Sequence, residues 1–333
     1  MKWGLIGAST IAEQFMIDAI ESQQGNKVAA VLSGDAERGQ AFANKNGIGR
    51  STTDIDELLE DQSIGAVYIS TTNEKHYPQA IKSLAAGKHV MCEKPLAMHI
   101  EDACEMVSAA TRANVVFATN HHLRNAGSHL KIKELIAEGR VGEVQAIRVG
   151  HAVYLPPHLH GWRINNPQAG GGVIPDIVVH DADTVRFHLE EDPVDVVAIE
   201  RSESLGKNVE DSVMSIWQMP SGILVETHEG FTVRHAGTSY EVHGTEGSIF
   251  ARGIMTQQPV GEILLRRENQ TEVQQFSGHN LYHRSMRLFM EAIKKGKSPS
   301  ATGTDGIKSL AVALAVKEAA TSGQRVKVNY GGT

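Results

Sequence analysis

Two short constellations in this 333-residue chain carry side chains suited to chemistry. Cys92-Glu93-Lys94-Pro95 sets a lysine at the end of an apolar run, and Asp176-Ile177-Val178-Val179-His180 spaces a carboxylate and an imidazole four residues apart. A lysine beside a bound cofactor can polarise a carbonyl oxygen and exchange a proton with it. An aspartate four residues before a histidine shares its helix face, where it can orient the ring and raise its basicity. Lys94, Asp176 and His180 are therefore the candidate catalytic residues. Each pattern alone also has a plain structural reading: a solvated loop lysine, and a helix start where Asp176 complements the macrodipole above a core histidine.

A third pattern is a phosphate loop. Gly7-Ala8-Ser9-Thr10-Ile11-Ala12 follows the first apolar run directly and is a degenerate dinucleotide fingerprint, with Ser9 and Ala12 in the second and third glycine positions. Small residues there let backbone N–H groups approach a pyrophosphate at a helix N-terminus. The second apolar run ends in Leu32-Ser33-Gly34, with Arg38 shortly after. No carboxylate ends that run to hold a free ribose, while Ser33 and Arg38 suit a 2′-phosphate, so the coenzyme expected is NADP(H), with Gly34 between them a further cofactor-binding position. The counter-reading gives Asp35 to the ribose and Arg38 to solvent. Asn120 and His121, after another apolar run, are candidates for lining the ligand site. The sixteen histidines include His158 and His160; the two carboxylates Asp176 and Asp181 with His180 could ligate a metal, but no second cluster of suitable spacing completes such a site, so no metal is expected.

The elements that must position these residues fall into two textures. Up to about residue 120, strand-length runs (Trp3–Ile6, Val28–Leu32, Ala66–Ser70, His89–Cys92, Val115–Thr119) alternate with helix-period stretches (Ile11–Ser22, Glu37–Lys45, Glu74–Ala86, Glu101–Ala113). That alternation predicts five βα units of an α/β Rossmann domain, residues 1–120. Beyond it come longer alternating strands, among them Val144–Leu155, Val194–Ser204, Ser212–Gln218, Ile223–Glu229 and Glu262–Arg266. Turns such as Pro220-Ser221-Gly222 and Gly244-Thr245-Glu246-Gly247 separate them. With helices at Ser128–Glu138, Asp176–Leu189, Leu281–Lys295 and Gly306–Ser322, residues 121–333 read as an α+β domain.

Composition removes several function classes. Lys and Arg number 32 against 39 Asp and Glu, a formal charge of −7 that gives no support to nucleic-acid binding. No apolar stretch approaches a membrane span, and two cysteines are too few for a disulfide framework, which fits a cytoplasmic protein.

Taken together the motifs resemble the glucose-fructose oxidoreductase/inositol dehydrogenase (Gfo/Idh/MocA) family. The matching residues are Gly7 to Ala12, Ser70-Thr71-Thr72-Asn73 with His76, Gly87-Lys88-His89-Val90, Glu93-Lys94-Pro95-Leu96-Ala97, Gly170-Gly171-Gly172, Asp176 to His180, and Val242 to Ser248. The resemblance implies a large, mostly antiparallel, open-faced sheet in the second domain. It also implies an NADP(H)-dependent oxidoreductase that reduces a cyclic keto-sugar, with hydride passing to the carbonyl carbon, His180 as proton donor and Lys94 polarising the oxygen. Thr71, Thr72, Asn73, His76, Glu93, Lys94, Asn120, Trp162, Arg163 and Tyr282 join the phosphate-loop residues as cofactor-binding positions. Two alternatives stay open: an NAD(P)-dependent dehydrogenase oxidising a sugar or inositol, and a non-catalytic protein sensing NADP(H) or sugar. The expected partners are a small sugar and, at most, a second copy of the chain, as monomer or homodimer.

Overall fold

The computed structural model describes residues 1–202 and 204–332; Glu203, inside the expected strand Val194–Ser204, and Thr333 lie outside the described residues. The chain divides into two compact units, Met1–His121 with Tyr282–Ile307, and His122–Leu281 with the chain from Lys308 on. The second unit is thus assembled from two segments rather than running unbroken from residue 121.

In the first unit, β1 (Lys2–Ile6), α1 (Ile17–Glu21), β2 (Lys27–Leu32), α2 (Ala36–Lys45), β3 (Arg50–Thr52), α3 (Ile55–Glu60), β4 (Ile64–Ile69), α4 (His76–Ala85), β5 (His89–Cys92), α5 (Ile100–Ala113) and β6 (Phe117–Thr119) follow in order. The strands form one parallel sheet ordered β3-β2-β1-β4-β5-β6. Strand side chains covered on both faces must be apolar throughout, and Leu5, Ile6, Val31, Val67, Tyr68, Ile69 and Val90 are all buried. The order reverses between β1 and β4, the topological switch point at which such sheets bind ligands beyond their carboxyl ends. β3 and α3 were not anticipated: Arg50-Ser51-Thr52 has no apolar residue to mark it as a strand, and each of its residues is half-buried at the sheet edge.

Residues 282–307 return to this unit because their aromatic side chains find its core. In α9 (Leu281–Lys295), Phe289 packs on Trp3 with ring centres 5.6 Å apart. Tyr282 stacks on Phe15 at 4.7 Å. Each such pair adds about 0.5–1.5 kcal/mol to its area burial.

The second unit carries α6 (Gly127–Ala137), β7 (Val144–Ala152), α7 (Gly161–Asn165), α8 (Val179–Leu189), β8 (Asp195–Arg201), β9 (Ser212–Gln218), β10 (Leu224–Gly230), β11 (Ser239–Gly244), β12 (Ser248–Arg252), β13 (Glu262–Arg267) and β14 (Gln270–Val273). After α9 come α10 (Gly303–Ser322) and β15 (Val326–Lys327). Its nine strands are ordered β14-β13-β12-β11-β7-β10-β9-β8-β15, antiparallel except for the β7–β10 pair. Alternation decides which face is covered: Val196, Val213, Trp217 and Val225 are buried, whereas Val197, Ile199, Met214 and Ile216 are exposed on the other face. Among the described residues no helix is long and apolar enough to cross a membrane.

Candidate active site

At the carboxyl edge of the parallel sheet the chain leaves β1 through Gly7. Its φ of 116° lies in the region L side chains avoid, and a Cβ there would stand 3.0 Å from the Ser70 carbonyl carbon and oxygen. Only glycine lets the loop pass so close to the end of β4. Ser9 then works as a brace: its hydroxyl lies 2.7 Å from that of Ser70 and accepts from the N–H of Ala12 at 3.2 Å. The helix that follows Ala8, Ser9, Thr10 and Ile11 begins with a π-turn at Ala12–Met16 before α1. A glycine turn with helix N–H groups ahead of it fits a dinucleotide pyrophosphate.

At the end of β2, Ser33 is buried and its hydroxyl accepts from Arg38 Nε at 3.3 Å. The guanidinium is thereby tethered at its Nε while the residue remains exposed beside exposed Gly34. Asp35 is the N-cap of α2, its carboxylate accepting from the Arg38 backbone N–H at 2.7 Å. That places its charge on the helix start, as caps do.

β5 delivers the Glu93-Lys94-Pro95 turn, whose Lys94–Pro95 bond is cis. Glu93 is buried and its Oε1 accepts from Tyr68 Oη at 2.5 Å and Asn120 Nδ2 at 2.6 Å, joining the ends of β4, β5 and β6. Burial pushes the Glu93 carboxyl up, against the opposing pull of those two donors. Asn120 is fully buried and its backbone N–H donates to the Cys92 carbonyl at 2.8 Å. Buried His121 lies immediately after it. Lys94, half-buried, follows Glu93 directly. His76, at the start of α4, sets one ring nitrogen 2.8 Å from the Pro95 carbonyl and the other 3.2 Å from that of Thr71. Burial holds its pKa below the ordinary value. His76 therefore ties the Thr71 loop to the lysine turn. Thr71 donates to Gln79, Thr72 to Glu74, and Asn73 is buried in the short 3-10 turn between them. Tyr282 is buried in the same unit, where burial and then Glu93 push its phenol well up.

The second unit gathers the other candidates. Asp176 and His180 are both half-buried. The segment is not purely α-helical as expected: residues Ile174–Val178 form a π-turn, and α8 proper starts at Val179. π-turns inside helices are frequent at functional sites. Gly172 enters this turn with φ 117°, and a Cβ on it would run into Glu210 Oε1. That close approach lets the buried Glu210 accept from the Ile174 N–H at 3.1 Å and so hold the helix start. Asp176 pairs with Arg163 Nε at 3.5 Å, and the Arg163 guanidinium lies 4.7 Å from the Trp162 ring centre. The His180 ring meets His122 edge-on, with centres 4.9 Å apart, and the ring of His151 at 6.3 Å. Among the described residues no group of three His, Cys, Asp or Glu side chains has metal-holding geometry.

The structure thus gathers Gly7, Ser9, Glu93, Lys94, Asn120, His76 and Tyr282 within the first unit. It gathers Trp162, Arg163, Asp176 and His180 within the second. Sequence reasoning gave no role to Glu210, His151 and Glu229, and weighed Asp181 only as a second carboxylate beside His180 for a metal. Glu210, His151 and Glu229 become meaningful only through strand register and chain reversal.

Comparison with known proteins settles the family. Residues 1–121 match the oxidoreductase family with NAD-binding Rossmann fold, and residues 129–250 match the GFO/IDH/MocA C-terminal domain. The chain is 52% identical over 331 residues to a 1,5-anhydro-D-fructose reductase of Ensifer adhaerens, covering 99% of each protein. The chain belongs to the GFO/IDH/MocA family. This member is 26% identical to a myo-inositol 2-dehydrogenase of Thermotoga maritima over 303 residues, 88% of each chain. Its fold matches the crystal structure of an aldose-aldose oxidoreductase from Caulobacter crescentus with a TM-score of 0.90. The identity there is 25%, and 98% of this chain and 99% of that one are covered. As a GFO/IDH/MocA protein it is an oxidoreductase built on an NAD(P)-binding Rossmann domain, the family expected from its motifs.

Proposed function

We propose that the chain reduces the keto group of a cyclic keto-sugar with NADPH, and specifically 1,5-anhydro-D-fructose to 1,5-anhydro-D-mannitol. The observation that carries this reading is its 52% identity, end to end, with a reductase of that sugar. The Ser33–Arg38 contact supports NADPH over NADH, because a cation tethered to a hydroxyl suits a 2′-phosphate and Asp35 is already engaged as a helix cap. The bound nicotinamide supplies the hydride. Lys94 hydrogen-bonds the sugar's carbonyl oxygen and polarises it, stabilising the alkoxide that develops there. His180 delivers the proton to that oxygen, and Asp176 with Arg163 keeps a charged pair one helical turn before the ring. Gly7 to Ile11 hold the pyrophosphate, Ser33, Gly34 and Arg38 the adenosine phosphate, and Glu93 and His76 hold the lysine turn in register. Thr71, Thr72, Asn73, Asn120, Trp162 and Tyr282 complete the coenzyme contacts in this reading.

The protein works in the cytoplasm, as monomer or homodimer. Cys92 and Cys104 form no disulfide, and the exposed Val197, Ile199, Met214 and Ile216 give a second copy an apolar surface to bind.

A spectrophotometric assay following nicotinamide absorbance with NADPH or NADH and 1,5-anhydro-D-fructose tests the proposal. Oxidation faster with NADPH, and lost in Lys94→Ala and His180→Ala proteins that still bind coenzyme, is the expected result. Oxidation of inositol or a sugar with NAD, and none of the keto-sugar, would replace the reading by a polyol dehydrogenase. Quenching of tryptophan fluorescence by NADPH with no turnover of any sugar would replace it by a sensor.

A further inference from the structure

The second unit buries a row of polar groups that the mechanism above leaves unused. Trp217 Nε1 donates to Ser215 Oγ at 2.8 Å, Ser215 Oγ lies 2.7 Å from Thr227 Oγ1, and Thr227 Oγ1 donates to Glu229 Oε2 at 3.1 Å. Glu229 meets Asp181 side chain to side chain, and Asp181 Oδ1 lies 2.7 Å from His151 Nδ1. Strand register builds the row: Ser215 is the cross-strand partner of Thr227, and His151 that of Glu229. Trp217, Asp181 and Glu229 have no exposed surface at all, and Thr227, Ser215 and His151 are buried too.

The direction of these first bonds follows from their two ends. An indole N–H only donates, so Ser215 accepts from Trp217. Thr227 spends its one hydrogen on Glu229 Oε2, so the hydrogen between Ser215 and Thr227 comes from Ser215. Among the described residues, the outer oxygens, Glu229 Oε1 and Asp181 Oδ2, face no N–H or O–H donor of any other residue. Two buried carboxylates in contact cannot both stay ionised, so one proton lies between them. Burial, with Asp181 adding to it, raises the Glu229 carboxyl well above its ordinary range, so Glu229 holds a proton and donates it to Asp181. Asp181 then accepts from His151, whose Nδ1 must carry hydrogen.

We infer that the chain Trp217–Ser215–Thr227–Glu229–Asp181 fixes the proton on His151 Nδ1 and makes His151 a positioning residue for His180, whose ring centre lies 6.3 Å away. The hydrogen bond on one imidazole nitrogen decides what the other can do, so the row sets the orientation and tautomer of the ring beside the proton donor. A misoriented ring there changes the field in which His180 releases its proton without altering how sugar binds. The ionisable groups around His151 are Asp181 and His180 of α8, Glu229 of β10 and His129 of α6. This inference rests on His180 being the proton donor.

Two measurements test it. In protein labelled with 15N-histidine, long-range proton-nitrogen correlation spectra, assigned with His151→Asn, should show His151 with hydrogen on Nδ1, and Asp181→Asn should change that pattern. A His151 carrying hydrogen on Nε2 alone would overturn the inference whatever the substrate. In the NADPH and 1,5-anhydro-D-fructose assay, His151→Asn keeps a donor for Asp181 but loses the ring; kcat should fall about 10- to 100-fold with the sugar KM within about threefold. Glu229→Gln, which can still donate to Asp181 and accept from Thr227, should retain at least about ten times the kcat of Glu229→Leu. Equal kcat in His151→Asn and wild type would overturn the positioning role. Wild-type turnover in His180→Asn would instead refute the proton-donor reading, leaving the His151 tautomer to be judged by the spectra.

Discussion

Arg38→Ala isolates the coenzyme choice from everything else in the fold. The residue is exposed, its backbone N–H keeps its bond to Asp35 after the change, and alanine is at least as good a helix former at this position in α2. The thermal midpoint should therefore stay where it is. What disappears is the guanidinium tethered to Ser33. A hydrogen bond to a charged group contributes about 1.5–3 kcal/mol, equivalent to roughly a 10- to 150-fold loss in affinity for NADPH. NADH has no phosphate at that position, so its KM should move less than about twofold. The comparison is made at saturating sugar with both coenzymes over a series of salt concentrations; the loss for NADPH should shrink as salt screens the wild-type contact. Equal changes in kcat/KM for the two coenzymes would refute the assignment of Ser33 and Arg38 to the 2′-phosphate.

Further expectations follow from burial and strain. Gly7→Ala combines a φ of 116° with a 3.0 Å approach to the Ser70 carbonyl, and should cost roughly 1–3 kcal/mol in urea unfolding together with coenzyme binding by fluorescence; unchanged binding would contradict the role of the turn. Gly172→Ala drives a Cβ into Glu210 and should lower kcat more than coenzyme affinity, measured by steady-state kinetics and titration. Glu229 has a folded pKa raised above its ordinary 4.5, so the stability it contributes is complete below that pH and is lost as pH rises towards the folded value. Glu229→Gln removes this loss, so its unfolding free energy should gain on wild type with each pH step above about 4.5; a constant difference would contradict the protonated state. His129 behaves oppositely. Burial holds its pKa at about 3, so its stability is present above 6.5 and lost as pH falls from there, and His129→Gln should flatten the acid limb of the unfolding curve.

How much of this was legible in the sequence depended on whether a residue's meaning is local. The Gly7 turn, the Glu93-Lys94-Pro95 turn and the Asp176–His180 spacing are local, and each lies at the strand or helix end that its pattern indicated. The alternating runs likewise located the two sheets. Arg50–Thr52 was invisible because an edge strand of three polar residues leaves no hydrophobic period. The π-turn at Ile174–Val178 was invisible because its cause lies in distant Glu210, which accepts the Ile174 N–H. The return of Tyr282–Ile307 to the first unit depends on Trp3 and Phe15, nearly the whole chain away. The polar row from Trp217 to His151 exists only through register across β9, β10 and β7, which no single segment encodes.

The central claim is hydride transfer to the keto carbon of 1,5-anhydro-D-fructose, and isotope tracing tests it most directly. The protein is incubated with the sugar and NADPH doubly deuterated at nicotinamide C4, and the product is read by NMR. Deuterium at C2 of a manno-configured product, absent when His180→Ala or Lys94→Ala replaces wild type, is the predicted result. A product without deuterium at C2, or no product while the coenzyme stays bound, would contradict the account.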